Sequence, residues 1–195
     1  MLKRFLAAFA LAMGLAAPAA ATTVLRLSLD QIIDDSATAF QGTCLGNRTE
    51  LDAKTGFVVT YTTFAVHDAL KGTLGATHEI KQVGGELPAA AGGLRYRVIG
   101  VPKFRPGAEY VVFLAGKSSI GFSSPIGLSQ GRFDVRREGA LAKVGNGRDF
   151  REMAGAGAEL PGAVQERIKA AEGAVQELDL DDFKRLVRQR VGAKR

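Results

Sequence analysis

The chain has 195 residues, 26 of them basic and 20 acidic, for a formal net charge of +6 at pH 7. This mild charge does not indicate nucleic-acid binding, and a single cysteine, Cys44, excludes a disulfide framework within the chain. A chain of this length is stable on its hydrophobic core alone. We expect Cys44 to be buried as a small hydrophobe; a reactive thiol or an intermolecular bridge is the alternative.

The first 21 residues have the three parts of a secretory signal peptide. A basic start precedes 13 residues that are apolar or Gly, from Phe5 to Ala17, and the small residues Ala19–Ala21 follow. We predict cleavage between Ala21 and Thr22, which leaves 174 residues with 24 basic and 20 acidic side chains, or +4. The apolar stretch is short for a membrane span, which needs about 20 residues, so retention as an anchor is the less favoured alternative. The predicted location is periplasmic or secreted.

A short helix is predicted at the start of the mature chain. Ser28 can cap it, and Gln31 stands at the capping-box position three residues later. From Ala37 the period changes to two, which predicts a strand over Ala37–Gly46 with Phe40 and Cys44 on one face. A turn is expected at Asn47–Thr49.

The strongest strand signal covers Phe57–Leu70, which is dense in Val, Thr, Tyr and Phe. Phe64, Val66 and Leu70 are predicted to share a core-facing side. A third strand is predicted over Thr77–Val83, and the Gly84-Gly85 pair ends it.

Further short strands follow, separated by turn residues. Arg105–Ala108 has Pro and Gly where a type II turn needs them. Glu109–Leu114 is apolar on both faces and is therefore predicted to be a central strand. No helical pattern separates the strands, so we predict a mainly β fold, with the sheet antiparallel and forming a small barrel or sandwich. The remaining predicted strands are Leu94–Val101, Ile126–Val135 and Leu141–Val144.

A basic cluster surrounds the predicted strand and turn near residue 100. Its members are Arg95, Arg97, Lys103 and Arg105. The favoured interpretation is the polar face of an edge strand. The alternative is a patch that binds anions or a partner protein.

The composition changes after Gly147. The predicted organisation is therefore a β-rich domain over 22–147, an Ala/Gly-rich linker over 148–163 and a helical segment over 164–195. One helix is predicted over Val164–Leu178 and a better one from Asp179, with an apolar stripe that includes Phe183.

Six basic residues follow the acidic first turn of this last helix. This order complements the helix dipole, and the favoured interpretation packs the apolar stripe on the β domain. The alternative is a basic tail that docks on anionic lipid or an acidic partner. The basic residues are Lys184, Arg185, Arg188, Arg190, Lys194 and Arg195.

One catalytic pattern matches the sequence. Gly127–Gly131 fits G-x-S-x-G with Ser129 at the nucleophile position. That mechanism needs a strand, a turn and a helix around the serine and a histidine after it, whereas both histidines, His67 and His78, precede Ser129. We therefore predict no catalytic residues and treat a hydrolase as the less favoured alternative. No metal or cofactor site is predicted, because two distant histidines and one cysteine form a poor ligand set.

An ordered set of short motifs resembles a group of uncharacterised bacterial exported proteins. The set runs from the first predicted helix through Leu70-Lys71-Gly72, Gly84-Gly85 and Phe104–Leu114 to Gly127–Phe133. More distantly, the Leu-Lys-Gly and Pro-Gly-x-x-Tyr-x-Val-Phe patterns resemble the netrin-like, OB-type domain of tissue inhibitors of metalloproteinases. That resemblance implies a five-stranded Greek-key barrel and protease inhibition. The inhibitors use an N-terminal cysteine, whereas this chain would begin at Thr22.

The sequence thus favours an exported, non-enzymatic module that binds a protein partner outside the cytoplasm. No nucleic-acid partner is predicted. Membrane contact is expected through an uncleaved signal or weakly through the basic tail.

Overall fold

The computed structural model describes residues 25–154 and 160–193. The predicted signal peptide, its cleavage site and the last two basic residues lie outside these ranges. The elements in chain order are α1 (Leu29–Asp35), β1 (Thr38–Leu51), β2 (Val58–Lys71), β3 (Thr77–Val83), β4 (Gly85–Glu86), a 3-10 turn (Ala89–Ala91), β5 (Arg95–Tyr96), β6 (Glu109–Leu114), β7 (Arg132–Glu138), β8 (Leu141–Gly145), α2 (Phe150–Ala154), α3 (Gly162–Ala170), β9 (Leu178–Asp179) and α4 (Leu180–Gly192).

Seven strands form one antiparallel sheet in the order β3-β2-β1-β6-β7-β8-β9. This confirms the predicted mainly β, antiparallel fold with a C-terminal helix. In the part of the chain that the structure describes, no pairing joins β3 to β9, so the sheet is open. The short strands β4 and β5 pair separately as a two-stranded hairpin.

The helices cover one face of the sheet. A single core joins these helices to β6 and β7. It contains Leu29, Ile32 and Ile33 of α1 and the buried stripe of α4, which consists of Leu180, Phe183, Leu186 and Val187. At its centre the ring of Phe183 lies 4.9 Å from Phe133. The sequence prediction that the stripe of the last helix packs on the sheet is therefore confirmed.

The opposite face holds a second, smaller core. Phe40, Cys44 and Phe64 meet there with Phe104 and Tyr110. Cys44 is fully buried, as predicted, and burial raises the pKa of its thiol. The central β6 separates the two cores and is buried on both faces, which confirms the prediction from its uninterrupted apolar run.

The prediction that Phe64, Val66 and Leu70 share a face is wrong for Leu70. Phe64 and Val66 belong to the smaller core, whereas Leu70 belongs to the helix-covered core. In the β1–β2 pairing, Val66 lies opposite Gly42 and Asp68 lies opposite Gln41. His67, between them, therefore has no partner on β1. An extra residue of this kind, a β-bulge, reverses the alternation of side chains beyond it.

Several boundaries differ from the sequence predictions. β1 continues through the expected turn at Asn47–Thr49 and ends at Leu51, because β2 pairs with it along the whole length. The predicted strand over Leu94–Val101 forms only the two-residue β5. Residues 126–131 form a turn, so that strand begins at Arg132.

The C-terminal region also differs in detail. α2 lies inside the predicted linker 148–163, where Phe150 and Met153 are buried in the helix-covered core. The helix predicted over Val164–Leu178 ends at Ala170, ahead of Gly173. Within the described residues, no helix has the length and apolarity needed to cross a bilayer.

Candidate functional site

A cleft of about 380 Å³ lies between the strands β1–β3 and the chain segment that follows them. Its floor comes from the three strands. Its other walls come from residues 84–86, 95–98 and 101–104, which include the β4–β5 hairpin. The volume lies in the range of small-molecule and short-segment sites.

The floor is polar, and most of its groups are paired with one another. Thr62 Oγ1 donates to Asn47 Oδ1 (2.6 Å), and Asn47 Nδ2 donates to the carbonyl of Phe104 (2.8 Å). Thr60 Oγ1 donates to the carbonyl of Gly84 (2.7 Å) and lies 3.2 Å from Thr49 Oγ1. These bonds join the floor to Phe104 on one wall of the cleft and to Gly84 on another.

Gln82 is the exception on this floor. Its side chain lines the cleft, and the residue is only 3% exposed. Its amide nitrogen Nε2 has no hydrogen-bond partner in the described parts of the chain. A buried donor without an acceptor costs about 1–3 kcal/mol of stability, so Gln82 marks a place where a bound acceptor would be favourable.

The Gly84-Gly85 pair allows the hairpin to fold closely over the floor. Both residues have positive φ, at +97° and +145°. A Cβ on Gly85 would lie 2.5 Å from Thr60 Oγ1 and 2.6 Å from Thr49 Cγ2. Glycine is therefore required here both by the backbone conformation and by the space between hairpin and floor.

Three cations surround the mouth of the cleft: Arg95, Arg97 and Lys103. Arg95 pairs with Glu86 at 2.7 Å, and this hydrogen bond lowers the pKa of the Glu86 carboxyl. In the described residues, neither Arg97 nor Lys103 has an ion-pair partner. The mouth therefore has an excess of two positive charges.

The basic cluster predicted from the sequence is thus divided. Arg95, Arg97 and Lys103 line the cleft, whereas Arg105 lies outside it with an exposed side chain. The backbone of Arg105 donates to the hydroxyl of Tyr110 (2.9 Å), which anchors the turn to β6. Arg95 lies on β5, which among the described strands pairs with β4 alone, and it shares one cleft with Arg97 and Lys103.

Exposed apolar side chains lie beside the cleft. Leu94, Tyr96 and Ile99, in the hairpin and just after it, are 55%, 44% and 91% exposed. The Tyr96 ring stacks on Phe57 at 6.4 Å, and Phe57 is itself half-exposed. Of these side chains, Tyr96 lines the cleft itself, and Leu94 and Ile99 flank it in the chain.

Ser129 lies in a different environment from a hydrolase nucleophile. It is exposed in the turn over 126–131, which leads into β7 and not into a helix. The two histidines contact other residues. His67 Nε2 lies 2.8 Å from Thr43 Oγ1, and the ring centroids of His78 and Phe40 lie 5.5 Å apart.

The neighbouring residue, Gln130, gives the motif a structural role. Its Nε2 donates to the carbonyl of Leu25 (2.9 Å), and its Oε1 accepts from the backbone N–H of Leu27 (2.9 Å). The turn over 126–131 thus holds the described start of the chain against the sheet.

The described basic residues of α4 bond within the molecule. Asp68 of β2 accepts from Arg188 (2.6 Å) and Lys184 (2.8 Å), while Asp34 of α1 accepts from Arg190 (2.6 Å). Arg185 pairs with Asp182 within the helix. These pairs give the basic face an intramolecular role, in addition to the predicted match with the helix dipole.

Comparisons of the chain with family models, with curated proteins and with solved structures found no match.

The sequence alone did not single out Gln82. Its strand showed only loose alternation, and a glutamine beside Gly84-Gly85 has no distinctive pattern. Thr60 and Thr62 fall in the predicted strand over Phe57–Leu70, but Thr49 is predicted in a turn, whereas the paired register places it opposite Thr60 at the cleft floor. The clearest sequence signal was the basic cluster near residue 100.

Proposed function

We propose that this protein is an exported, non-enzymatic binding module that engages a protein partner outside the cytoplasm through the cleft beside β1–β3. The observation that carries the proposal is the preformed cleft with one buried, unpaired amide on its floor and exposed apolar side chains at its mouth. Export is supported by the signal-peptide pattern of residues 1–21.

The residues of the cleft support binding over catalysis. Among the described lining residues none is His, Cys or Ser, and Glu86 is the one carboxylate, held in its pair with Arg95. The threonine hydroxyls of the floor bond to Asn47, to the Gly84 carbonyl and to one another, whereas covalent catalysis usually places a nucleophile next to a general base. Hydrolysis at Ser129 gains no support from its surroundings, and protease inhibition stays a prediction from the resemblance.

A capture experiment with a cleft-filling variant tests the proposal. Thr49→Phe puts a ring where Gly85 packs on the floor and so displaces the hairpin wall of the cleft. Thr63→Phe makes the same change on β2, on the strand face that points away from the cleft. We expect the mature wild-type chain and Thr63→Phe to capture the same specific partner from periplasmic or secreted extract, and Thr49→Phe to lose it. Circular dichroism checks that both variants are folded.

Two results would contradict the proposal. One is the absence of any specific partner at mild salt. The other is full capture by a folded Thr49→Phe variant, because the partner would then bind elsewhere.

A further inference from the structure

We propose that the cleft binds a carboxylate side chain of an acidic peptide segment, an inference that rests on the proposed binding function. Gln82 Nε2 would donate to the carboxylate, and Arg97 and Lys103 would supply the compensating positive charge. Each part of this assignment follows from a separate observation on the cleft.

The free amide sets the polarity of the ligand atom. Gln82 Nε2 is a donor, and it is buried at the floor without an acceptor in the described residues. The neighbouring Asn47, Thr60 and Thr62 are already bonded to one another or to backbone carbonyls. A group that reaches Gln82 Nε2 must therefore present an acceptor to it.

The mouth sets the charge of the ligand. A neutral acceptor such as an amide oxygen would satisfy Gln82 but would leave the mouth, where Arg95, Arg97 and Lys103 face the single carboxylate of Glu86, with an excess of two positive charges. Arg95 is already neutralised by Glu86 at 2.7 Å. An anionic acceptor satisfies both conditions, because hydrogen bonds to ionised acceptors are roughly twice as strong as neutral ones.

The apolar side chains indicate a peptide as the source of the carboxylate. Tyr96 lines the cleft, Leu94 and Ile99 lie close to it in the chain, and the three are 44%, 55% and 91% exposed. A free ion would leave them uncovered, whereas a polypeptide segment would bury them. The acidic character of that segment is complementary to the excess positive charge at the mouth.

The test uses the mature chain, residues 22–195, and fluorescence anisotropy. The probes are a short fluorescein-labelled peptide rich in glutamate and its counterpart with every glutamate replaced by glutamine. We expect saturable binding of the glutamate peptide, weakening with salt, and binding of the glutamine peptide at least about tenfold weaker, as loss of the ionised acceptor predicts.

Three variants test the assigned residues. Gln82→Leu keeps the approximate volume of the side chain and removes the donor, and should weaken the glutamate peptide about tenfold. Replacing both Arg97 and Lys103 with Gln should weaken it at least about tenfold and reduce the salt dependence. Arg167→Gln removes an exposed cation from α3, one of the helices that cover the sheet, and should leave the affinity for the glutamate peptide unchanged.

Thermal unfolding separates binding from folding for Gln82→Leu. Because it removes an unpaired buried donor, this variant should unfold at the same or a higher temperature than wild type. A lower unfolding temperature with unchanged peptide affinity would assign Gln82 a structural role and would overturn the inference.

The remaining outcomes distinguish this inference from the proposed function. If both peptides bind equally and Thr49→Phe abolishes both, the cleft binds peptides but not through a carboxylate, so the inference fails and the binding function stands. If neither peptide binds, the inference fails, and the capture experiment decides the function. If inorganic phosphate displaces the glutamate peptide, the cleft is a phosphate site and the inference is overturned.

Discussion

At the scale of single residues, the buried pair between Lys81 and Asp52 connects three parts of the chain. Lys81 Nζ lies 2.7 Å from Asp52 Oδ1, and both side chains are less than a tenth exposed. The same ammonium donates to the carbonyl of Ile120 (3.2 Å) and lies 4.7 Å from the Phe122 ring centre. The pair therefore fixes the turn after β1 and the loop after β6 to β3.

The pH dependence of stability should report this pair. The hydrogen bond from Lys81 lowers the pKa of the Asp52 carboxyl. The stabilisation is thus complete above the unfolded pKa, about 3.9, and is lost as the pH falls through the lower folded value. We expect the difference in unfolding free energy between wild type and Asp52→Asn to shrink below about pH 4. Urea unfolding from pH 7 downwards measures it, and a constant difference would contradict the assignment.

At the scale of elements, α4 owes its position to packing of its apolar stripe as well as to its capping. Asp179 caps the helix by accepting from the Asp181 N–H (3.3 Å), as the acidic start of the sequence pattern predicts. The fully buried Phe183 ring contacts Phe113 at 6.2 Å, Phe133 at 4.9 Å and Phe150 at 5.9 Å. These three rings belong to β6, β7 and α2, so one side chain joins three elements.

Truncating this side chain should be strongly destabilising. Phe183→Ala removes the shared ring and leaves a cavity, which should lower the unfolding free energy by about 3–5 kcal/mol. Arg185→Ala, two residues later on the exposed side, should change it by less than about 0.5 kcal/mol. Chemical denaturation of both variants gives the comparison. Similar losses of unfolding free energy in the two variants would show that the apolar stripe does not stabilise the fold more than the exposed side of the helix.

At the scale of the whole molecule, the helices and the sheet share one core. Phe150, Met153 and the stripe of α4 pack with β6, β7 and β8, although the composition changes after Gly147. The core is therefore continuous across the predicted boundary between the β-rich domain and the helical segment. Without residues beyond 147, the inner face of the sheet would be exposed to water.

A fragment of residues 22–147 should accordingly fail to fold. Loss of the α2 and α4 side chains exposes apolar surface on β6 and β7, which costs about 25 cal/mol per Å². We expect poor dispersion in its amide NMR spectrum and no cooperative thermal transition, in contrast to residues 22–195. A cooperative transition of the fragment would show that the β-rich part is an independent domain.

The sequence by itself determined the local structure wherever period and turn chemistry act over a few residues. The capping box of Ser28 and Gln31 and the two-faced apolar run of β6 were predicted correctly. So was the turn at Arg105–Ala108, where Gly107 has φ +80° and the Ala108 N–H donates to the Arg105 carbonyl (3.1 Å). These features depend on side chains that are near neighbours in the chain.

Only the tertiary structure decided which distant residues meet. The β-bulge at His67 moved Leu70 to the other face, because register depends on the partner strand. The cleft arose because strand pairing placed Gln82 beside threonines of β1 and β2, and because Gly84-Gly85 turned the hairpin and its cations over them. The sequence contained each of these residues, but only the pairing of Thr49 with Thr60 on β1 and β2, and of Thr60 with Gln82 on β2 and β3, brought them together at one site.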